Sequence, residues 1–347
     1  HDSNKNHVAS VINTSNGTIA IHPKNVGDKS SAAFIVSPEI WSDGNPQILY
    51  NAGDIKIYNK ESAVFFLNPN GDVRWPGDDN TKNPREITIV NRSNGNKEIS
   101  TYGESNVGVY LKTSKYIKQA NLDFKTKSSG GDWAPMKMYG DKSIGLYGPE
   151  DNISINNSTV GPVNGNFAVS IGNDGALADN KITTYTSMTS ATTGTPANEF
   201  TTTGTPGNFT INNDKYTDQA YGIYSLIPID FEKDTAGTGP SKKDIENGHE
   251  ITLNQYSKNS IGVLPGNSTS IKLGKGKIVL KGGIDNVGIV SGGSGSKNTY
   301  GTVKGDVITL QGAPDTSDRG NRAIYTNKSG NNVTVNAVKS TDTTNSI

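Results

Sequence analysis

The chain has 347 residues with 33 basic and 33 acidic side chains, so its formal net charge is zero. Dedicated nucleic-acid binders usually carry a basic excess, and this balance argues against nucleic acid as a partner. The sequence contains no cysteine, which excludes thiol catalysis, disulfides and cysteine-based zinc sites. No window approaches the ~18 consecutive apolar residues of a membrane-spanning helix.

Turn-forming residues dominate the composition. Glycine and asparagine each contribute 40 residues, and both favour turns and left-handed backbone. Hydrophobic residues make up only 32%, below the share that is usual in globular domains. Disordered chains combine low hydrophobicity with high net charge, whereas this chain is neutral and rich in valine, isoleucine and threonine. We therefore predict an ordered β protein with a small core.

The N-terminal segment, residues 1–16, is polar and starts with His1. We expect it to cap one end of the fold or to be disordered. No apolar signal-peptide core follows His1, so we expect a mature or trimmed fragment whose targeting information is missing.

A first phrase then recurs along the chain: a small polar residue, an apolar one, Gly or Ala, and two bulky residues. It reads Ser143-Ile144-Gly145-Leu146-Tyr147 in one of its clear copies. The positions that we count as copies begin at Ser31, Ser62, Asn106, Ser143, Asn166, Ala220, Ser260, Asn286 and Asn321. These nine copies, taken from Ala33 to Ala323, give a mean repeat of about 36 residues.

A second phrase alternates apolar with polar residues and mostly takes turns with the first. Period-two alternation over a few residues is the pattern of a half-buried strand. Its copies are Thr18–Ile21, Asp54–Ile57, Glu86–Ile89, Asn121–Phe124, Asn152–Ile155, Ile229–Phe231, Glu250–Leu253, Ser270–Leu273, Ile308–Leu310 and Asn332–Val335.

Each repeat holds two or three short strands and too little apolar material for a core of its own. Stacking the repeats would join their small apolar stripes into one interior. Each strand would then pair in parallel with its counterpart one coil away, at about 4.8 Å, in a rod about 40 Å long. The sequence therefore predicts an all-β, parallel β-helix over residues 17–338. A β-sandwich or antiparallel meander is the alternative, because it also yields short alternating strands.

Together the two phrases resemble the rungs of autotransporter (type V secretion) passenger domains of Gram-negative bacteria. Pairs such as Ser143–Tyr147 and Asn332–Val335 are similar in particular to the large fusobacterial-type outer-membrane adhesins, and the resemblance covers roughly residues 17–338. It implies a right-handed parallel β-helix on the cell surface, exported through the outer membrane by a C-terminal barrel. The ~10-residue strands of such a barrel are absent from this sequence. We therefore expect a passenger segment, with residues 339–347 leading to further coils.

The longest irregular stretch, residues 172–207, is rich in threonine and contains Tyr185 and Phe200. Insertions in a solenoid emerge as loops, often on the binding face. A stretch of this length is functional or mobile. Tyr185 and Phe200 are therefore candidate ligand-binding residues, and a plain spacer is the alternative interpretation.

Three tryptophans, Trp41, Trp75 and Trp133, lie in polar stretches rich in glycine and proline. Trp41 and Trp75 follow the first phrase by similar distances, so they could stack on successive coils. Tryptophan offers a large contact area and a polar handle to a sugar or protein. We treat the three as candidate ligand-binding residues, with packing of loops against the rod as the alternative.

Catalytic and metal motifs are weak. Gly292-Gly293-Ser294-Gly295 lacks the aspartate of a serine-protease phrase, and Gly71-Asp72 with Asp78-Asp79-Asn80 does not match a calcium-loop spacing. We expect no catalytic residue, metal or cofactor. Lys304-Gly305-Asp306 echoes an integrin-binding tripeptide, a match short enough to arise by chance.

Polysaccharide-active β-helix enzymes are the competing class, since their chemistry needs clustered carboxylates on one side of several coils. Asp54, Glu86, Asp123 and Glu250 fall in or near the alternating phrase and could form such a row. A solvated face of mixed charge is the simpler interpretation.

The sequence thus predicts a non-catalytic adhesin segment that attaches to a receptor, a protein or glycan, on host cells or other bacteria. We expect it outside the cell, joined to the membrane only through the missing barrel, with a role in virulence. The alternatives are a β-helix polysaccharide lyase or hydrolase and a structural spacer stalk.

Overall fold

The computed structural model describes residues 10–21, 31–36, 47–67, 85–93, 97–111, 117–124, 135–149, 163–172, 181–185, 188–190, 200–202, 206–210, 216–232, 248–267, 269–292, 301–312, 320–326 and 332–341. All regular secondary structure in these ranges is β-strand. Consequently, none of this part of the chain forms a helix with the length and hydrophobicity of a membrane span.

Most of the strands form three parallel stacks. The first stack is an eight-stranded sheet made from the first phrase. In spatial order it contains β3 (Ala32–Val36), β6 (Ala63–Leu67), β9 (Val107–Leu111), β12 (Ile144–Gly148), β19 (Tyr221–Ser225), β23 (Ile261–Pro265), β26 (Val287–Ser291) and β28 (Arg322–Thr326).

The second stack precedes the third in every coil, and every pairing in it is parallel. It contains β1 (Ser10–Asn13), β4 (Gln47–Asn51), β7 (Arg85–Asn91), β10 (Ile117–Asp123), the start of β13 (Asn164–Ile171), β20 (Ile229–Asp230), β24 (Ser270–Lys272), and the starts of β27 (Thr302–Gln311) and β29 (Val333–Ser340).

The third stack is also parallel throughout. It contains β2 (Thr18–Ile21), β5 (Asp54–Ile57), β8 (Ile99–Thr101), β11 (Met136–Met138), the end of β13, β21 (Gly248–Leu253), β25 (Lys275–Lys281), and the ends of β27 and β29. The long strands β13, β27 and β29 run through the second and third stacks, which is why those two stacks form one fifteen-stranded sheet.

The chain passes from the second stack to the third and then to the first in each coil, and the next coil repeats this order. The inward side chains of all three stacks pack into one hydrophobic cluster, with Leu49 from the second stack, Ile55 from the third and Phe65 from the first. The parallel β-helix predicted from the two phrases is thereby confirmed. Its right-handed sense stays a prediction.

The corner before each first-stack strand has a fixed conformation. In six coils the residue there has a positive φ without being glycine: Glu61, Ser105, Lys142, Gln219, Asn259 and Asp285. The next residue is buried and small or polar, and side chains at this position bond from coil to coil. The backbone N–H of Ser260, for example, donates to Asn286 Oδ1 at 3.0 Å, and that of Asn286 donates to Asn321 Oδ1 at 3.0 Å. This chain of bonds explains why the first phrase begins with Ser or Asn.

A second polar column lies where the second stack turns into the third. Asn13 Nδ2 donates to Asn51 Oδ1 at 2.8 Å, and Asn51 Nδ2 donates to Asn91 Oδ1 at 3.1 Å and to Ser93 Oγ at 2.8 Å. Asn51 and Asn91 are fully buried, so these bonds satisfy amides that would otherwise be costly to bury.

The glycine of the first phrase is required by the next coil. A Cβ built on Gly222 would lie 2.5 Å from the carbonyl oxygen of Gly262, and the same distance separates Gly145 from the Gly222 oxygen. Real Cβ atoms do not approach a backbone oxygen so closely, so a side chain would force the coils to shift. The two N-terminal coils have Ala33 and Val64 at this position, so the restriction begins at Gly108.

Two sequence interpretations require correction. Asn166–Val169 is not a copy of the first phrase, because β13 pairs with the third-stack strands β11 and β21. The first phrase therefore occurs eight times, and the 290 residues from Ala33 to Ala323 over seven intervals give about 41 residues per coil. The alternating phrase is also divided between two stacks: Asp54–Ile57 belongs to the third and Glu86–Ile89 to the second.

An excursion leaves the rod between β13 and the short corner strand β18 (Thr217–Asp218), which pairs with β22 (Ser257–Lys258). It contains β14 (Lys181–Tyr185), β15 (Met188–Ser190), β16 (Phe200–Thr202) and β17 (Pro206–Thr210). β15 pairs antiparallel with β16, and β14 with β17, so the excursion is a nested antiparallel ribbon. Its last strand ends three residues beyond the predicted boundary at 207.

Candidate binding surface

The five residues predicted to bind a ligand are not brought together by the described structure. Trp41, Trp75 and Trp133 lie outside the described residues. Tyr185 ends β14 and Phe200 begins β16, so both backbones belong to the ribbon, while their side chains lie outside the described part. Their ligand-binding role stays a prediction.

The first stack carries a column of aromatic side chains that sequence reasoning did not separate from the core. Phe66, Tyr110, Tyr147, Tyr224 and Leu264 occupy the fourth position of consecutive strands and are in register. All five are partly exposed and do not belong to the hydrophobic cluster, in contrast to the buried residues at the third position of the same strands. They therefore form the aromatic column on the outer surface of the sheet.

The rings of the aromatic column contact one another from coil to coil. Ring centroids are 4.7 Å apart between Phe66 and Tyr110, 5.4 Å between Tyr110 and Tyr147, and 5.5 Å between Tyr147 and Tyr224. Such pairs add stabilisation beyond the area that they bury. The Phe66–Tyr110 and Tyr147–Tyr224 pairs are tilted and the Tyr110–Tyr147 pair is T-shaped, so the column combines face and edge contacts.

A flanking row lies beside the aromatic column, at the first position of the same strands. It consists of Val107, Ile144, Tyr221 and Ile261, which are in register and partly exposed. Tyr221 also contacts the column, with its ring centroid 5.7 Å from that of Tyr224. We call the aromatic column and the flanking row together the apolar strip.

The apolar strip lacks charge. The first-stack strands β6, β9, β12, β19 and β23 contain no Asp, Glu, Lys or Arg. Burial raises the pKa of the Tyr110 and Tyr147 hydroxyls, and for Tyr147 the neighbouring tyrosines raise the pKa further. The strip is therefore neutral over the physiological pH range.

The sequence signal for the strip was the tyrosine at the fifth position of the phrase. Two bulky residues in succession suggested two core residues. The glycine and the bulky residue after it are both buried, however, so the usual alternation is interrupted and the tyrosine points outward. Only the burial of these strands in the structure shows this interruption.

The outer surface of the third stack is polar. Lys56, Ser100, Lys137, Ser170 and Thr252 lie in register along it. Lys137 Nζ forms an ion pair with Glu98, and Ser100 Oγ donates to the same carboxylate at 2.7 Å.

The four carboxylates predicted as a possible catalytic row are divided between two stacks. Glu86 and Asp123 belong to the second stack, and Asp54 and Glu250 to the third. The Glu86 side chain lies outside the described part. The four residues therefore do not form a single row, and the solvated face of mixed charge remains the simpler interpretation.

Each of the three described carboxylates has a basic partner. Asp54 pairs with Lys97 at 3.0 Å, Glu250 with Lys277 at 3.5 Å, and Asp123 with Arg92. Burial raises the pKa of Asp54, but the backbone N–H of Glu98 and the Lys97 ammonium together hold it below its usual value. Asp54 is therefore held ionised, as in a structural ion pair.

Lys304-Gly305-Asp306 lies within β27, not in a loop. Both Lys304 and Gly305 are in register with β29, Lys304 Nζ pairs with Glu232 at 2.9 Å, and Asp306 accepts a hydrogen bond from Asn336 Nδ2 at 2.8 Å. An integrin-binding tripeptide needs an exposed, free acid and base, and this one is engaged inside a sheet.

His249 is the one histidine among the described residues. It is fully buried in β21, with Nδ1 2.8 Å from the Leu273 carbonyl oxygen and with no hydrogen-bond partner at Nε2. Burial lowers the pKa of His249 to about 4 against the opposing effect of the Leu273 contact. It is a neutral core residue with no described nucleophile beside it.

Metal ligands do not gather in the described residues, where no three His, Asp or Glu side chains are arranged to hold an ion. The weak calcium pattern at residues 71–80 and Ser294 lie outside the described part. Comparison of the chain with family models, with curated proteins and with solved structures found no match in any of the three.

Proposed function

We propose that this chain is a segment of a surface-exposed bacterial adhesin of the autotransporter passenger type. It lies outside the outer membrane and binds a protein or glycan on host cells or other bacteria. It catalyses no reaction. The observation that carries the proposal is the contrast between a rigid rod of parallel coils and outer surfaces on which Asp54, Asp123 and Glu250 are each paired with a base.

Rigidity comes from the coil-to-coil bonds. Buried amides at one corner and Ser or Asn side chains at another tie each coil to the next, and a single hydrophobic cluster runs through the rod. A protein of this kind holds a binding surface away from its attachment point at low conformational cost. The resemblance of the two phrases to passenger rungs agrees with that use.

The competing proposal is a polysaccharide lyase or hydrolase. Such an enzyme needs a carboxylate free to take up or release a proton near its substrate. Asp54, Asp123 and Glu250 are instead engaged by Lys97, Arg92 and Lys277. This pairing favours a binding protein over a polysaccharide-active enzyme. A spacer stalk whose partners lie elsewhere in a parent chain is the third candidate.

Binding of the purified, fluorescently labelled chain to panels of epithelial and Gram-negative cells tests the proposal. We expect saturable binding that excess unlabelled chain displaces. Linear, non-saturable binding to every cell type would identify the chain as a spacer. Release of oligosaccharides from acidic or neutral glycans would identify it as an enzyme.

A variant in which a short Gly-Ser linker joins Gly172 to Tyr216 removes the ribbon with Tyr185 and Phe200. The rod should remain folded because the ribbon strands pair only with each other in the described structure. Loss of cell binding in this variant would place the receptor site on the ribbon. Undiminished binding would place it on the rod.

A further inference from the structure

The corner at which the second stack turns into the third changes character along the rod. Its residues occupy one line of register positions, which we call the corner line. In chain order the corner line contains Asn13, Asn51, Asn91, Phe124, Phe167, His249, Gly276, Asp306 and Asn336. The line thus begins with amides, which do not titrate, and passes through two phenylalanines to a histidine and a carboxylate.

Hydrogen bonds join the coils at the titratable end of the corner line. His249 Nδ1 lies 2.8 Å from the carbonyl oxygen of Leu273 in the next coil. The Gly276 N–H donates to Asp306 Oδ2 at 3.2 Å, and Asn336 Nδ2 donates to Asp306 Oδ1 at 2.8 Å. These contacts replace the asparagine side chains that join the first coils at the same corner.

His249 is neutral in this arrangement. A carbonyl oxygen can only accept a hydrogen bond, so Nδ1 carries the ring proton and Nε2 holds the lone pair. Nε2 is buried without a hydrogen-bond partner, in a residue that is 0% exposed. Protonation would therefore place a charge and an unpaired N–H donor in the core, which is costly.

The charges on the neighbouring elements do not compensate for the burial of His249. β13, which contributes Phe167, contains no charged residue. The charged residues on the other elements around it are Asp230 of β20, Glu250 of β21, Lys272 of β24, Lys275, Lys277 and Lys281 of β25, and Lys304 and Asp306 of β27. Asp230 and Glu250 are paired with lysines, and both Asp306 oxygens accept hydrogen bonds. Burial therefore lowers the pKa of His249 to about 4, although the Leu273 carbonyl and the Asp306 carboxylate act against the shift.

The strand of His249 has no room to shift toward the next coil. Gly276, its register partner in β25, has a φ of +142°, and a Cβ built there would lie 1.8 Å from the His249 carbonyl oxygen. One residue earlier, a Cβ on Gly248 would lie 1.9 Å from the Lys275 oxygen. Since β21 and β25 are in close contact at both positions, water reaches a charged His249 ring only when the two strands separate.

We propose that the interface between β21 and β25 is an acid-sensitive joint in the rod. Protonation of His249 opens this interface locally, whereas the coils joined by Asn13, Asn51 and Asn91 stay closed. Each coil of a solenoid contacts only its neighbours, so loosening one interface uncouples the coils on its two sides. The rod is then stiff at neutral pH and loses its stiffness at β21 in acidic surroundings.

The pH range of the opening follows from the two protonation equilibria of His249. Its pKa is about 4 in the closed rod and returns to the ordinary 6.5 once the ring is in water. Because the open state binds the proton more readily, closure is fully favoured above pH 6.5 and weakens as the pH falls toward 4. The opening equilibrium constant should be ~20-fold larger at pH 5 than at pH 7.

Hydrogen exchange of the full chain at pH 7 and pH 5, followed by mass spectrometry, tests the joint. After correction for the intrinsic pH dependence of exchange, the amides of β21 and β25 should exchange ~20-fold faster at pH 5. The amides of β4 and β7, which carry Asn51 and Asn91, should be unaffected and serve as the reference within the same molecule.

Two substitutions of His249 assign the effect. His249→Phe, which extends the pair of buried phenylalanines, should abolish the acceleration at β21 and β25. His249→Asn restores the amide of the first coils and provides the same test with a smaller side chain. The matched control is His22→Phe, which removes another histidine and should leave the acceleration in place. Circular dichroism checks that the variants fold.

Acceleration that is equal in all strands, or absent from β21 and β25, would overturn the proposal. So would acceleration that persists in a folded His249 variant, or that His22→Phe abolishes. The location of the acceleration in the unaltered chain decides the test if neither His249 variant folds. Only purified chain is measured, so the result does not depend on whether the chain binds a receptor.

Discussion

The first and third stacks have the same backbone architecture and opposite outer surfaces. Both are parallel, in register and packed against one hydrophobic cluster. Outside, the first presents the apolar strip, whereas the third presents Lys56, Thr252 and Lys137, the last in an ion pair with Glu98. The fold therefore depends on the inward residues and on the corners. The outward residues of each stack can differ without a change of fold.

The comparison also separates two ways of packing coils. The first stack brings backbones close enough that glycine is needed from Gly108 to Gly288. In the third stack alternating Ile, Leu and Val side chains fill the interior, and close backbone contacts occur at Gly248 and Gly276, near the starts of their strands. Substitution of a crowded glycine should therefore cost more stability than removal of an ion pair from the outer surface of the third stack.

Gly222→Ala should give the largest loss of stability, about 3 kcal/mol, because its Cβ would meet the Gly262 backbone oxygen at 2.5 Å and Ile251 Cγ2 at 2.7 Å. The free energy of unfolding from urea denaturation measures it. Gly305→Ala is the matched control, since its nearest neighbour would be Leu273 Cδ1 at an ordinary 3.4 Å. Equal effects of the two substitutions would contradict the steric role of the close approach at Gly222.

Acidification should act through His249 on the inner side of the third stack. Its folded pKa of about 4 lies below the unfolded value of 6.5, so the unfolded chain binds the proton more readily and stability falls as pH falls from 6.5 toward 4. At pH 5 the loss should be about 2 kcal/mol relative to pH 7. Urea denaturation at the two pH values measures it.

His249→Phe should remove most of that dependence between pH 7 and pH 5. Phenylalanine is chosen because Phe167 is the register partner of His249 in the preceding coil and is fully buried. A variant that retains the full pH dependence would show that other groups cause it.

Lys137→Met should have the smallest effect. It removes the ion pair with Glu98 on the outer surface of the third stack, where both side chains remain partly exposed. Pairs of this kind contribute less than about 1 kcal/mol, and salt screens them. We expect a small loss at low salt that disappears at high salt. A large, salt-independent loss would mean that the outer surface of the third stack does contribute to the fold.

The sequence predicted the parallel stacking because the recurring apolar positions of the two phrases are the inward residues of the strands. It did not separate the second stack from the third, since Glu86–Ile89 and Asp54–Ile57 alternate alike while lying in different stacks. Asn166–Val169 was misread for a related reason: Phe and Ala in succession imitate the first phrase, and only pairing with β21 shows the difference.

The candidate surface was harder to predict than the fold. The outward direction of Tyr110 or Tyr147 depends on the interruption of the inward–outward alternation at the preceding glycine, which no local pattern reveals. The sequence analysis instead selected prominent aromatic residues such as Trp41 as candidate ligand-binding residues. An isolated aromatic residue carries no information about register. Repetition of one residue type at one position of a repeat was the more useful signal.

Distances along the third stack test the parallel coil most directly. Lys56, Thr252 and Thr309 belong to one continuous line of register partners, with Thr252 four strands and Thr309 six strands from Lys56. Spin labels on Lys56→Cys with Thr252→Cys, and on Lys56→Cys with Thr309→Cys, should therefore give narrow distances near ~19 Å and ~29 Å by electron paramagnetic resonance. Two distances that do not grow with the number of coils, or broad distributions in both pairs, would contradict the stacked coil.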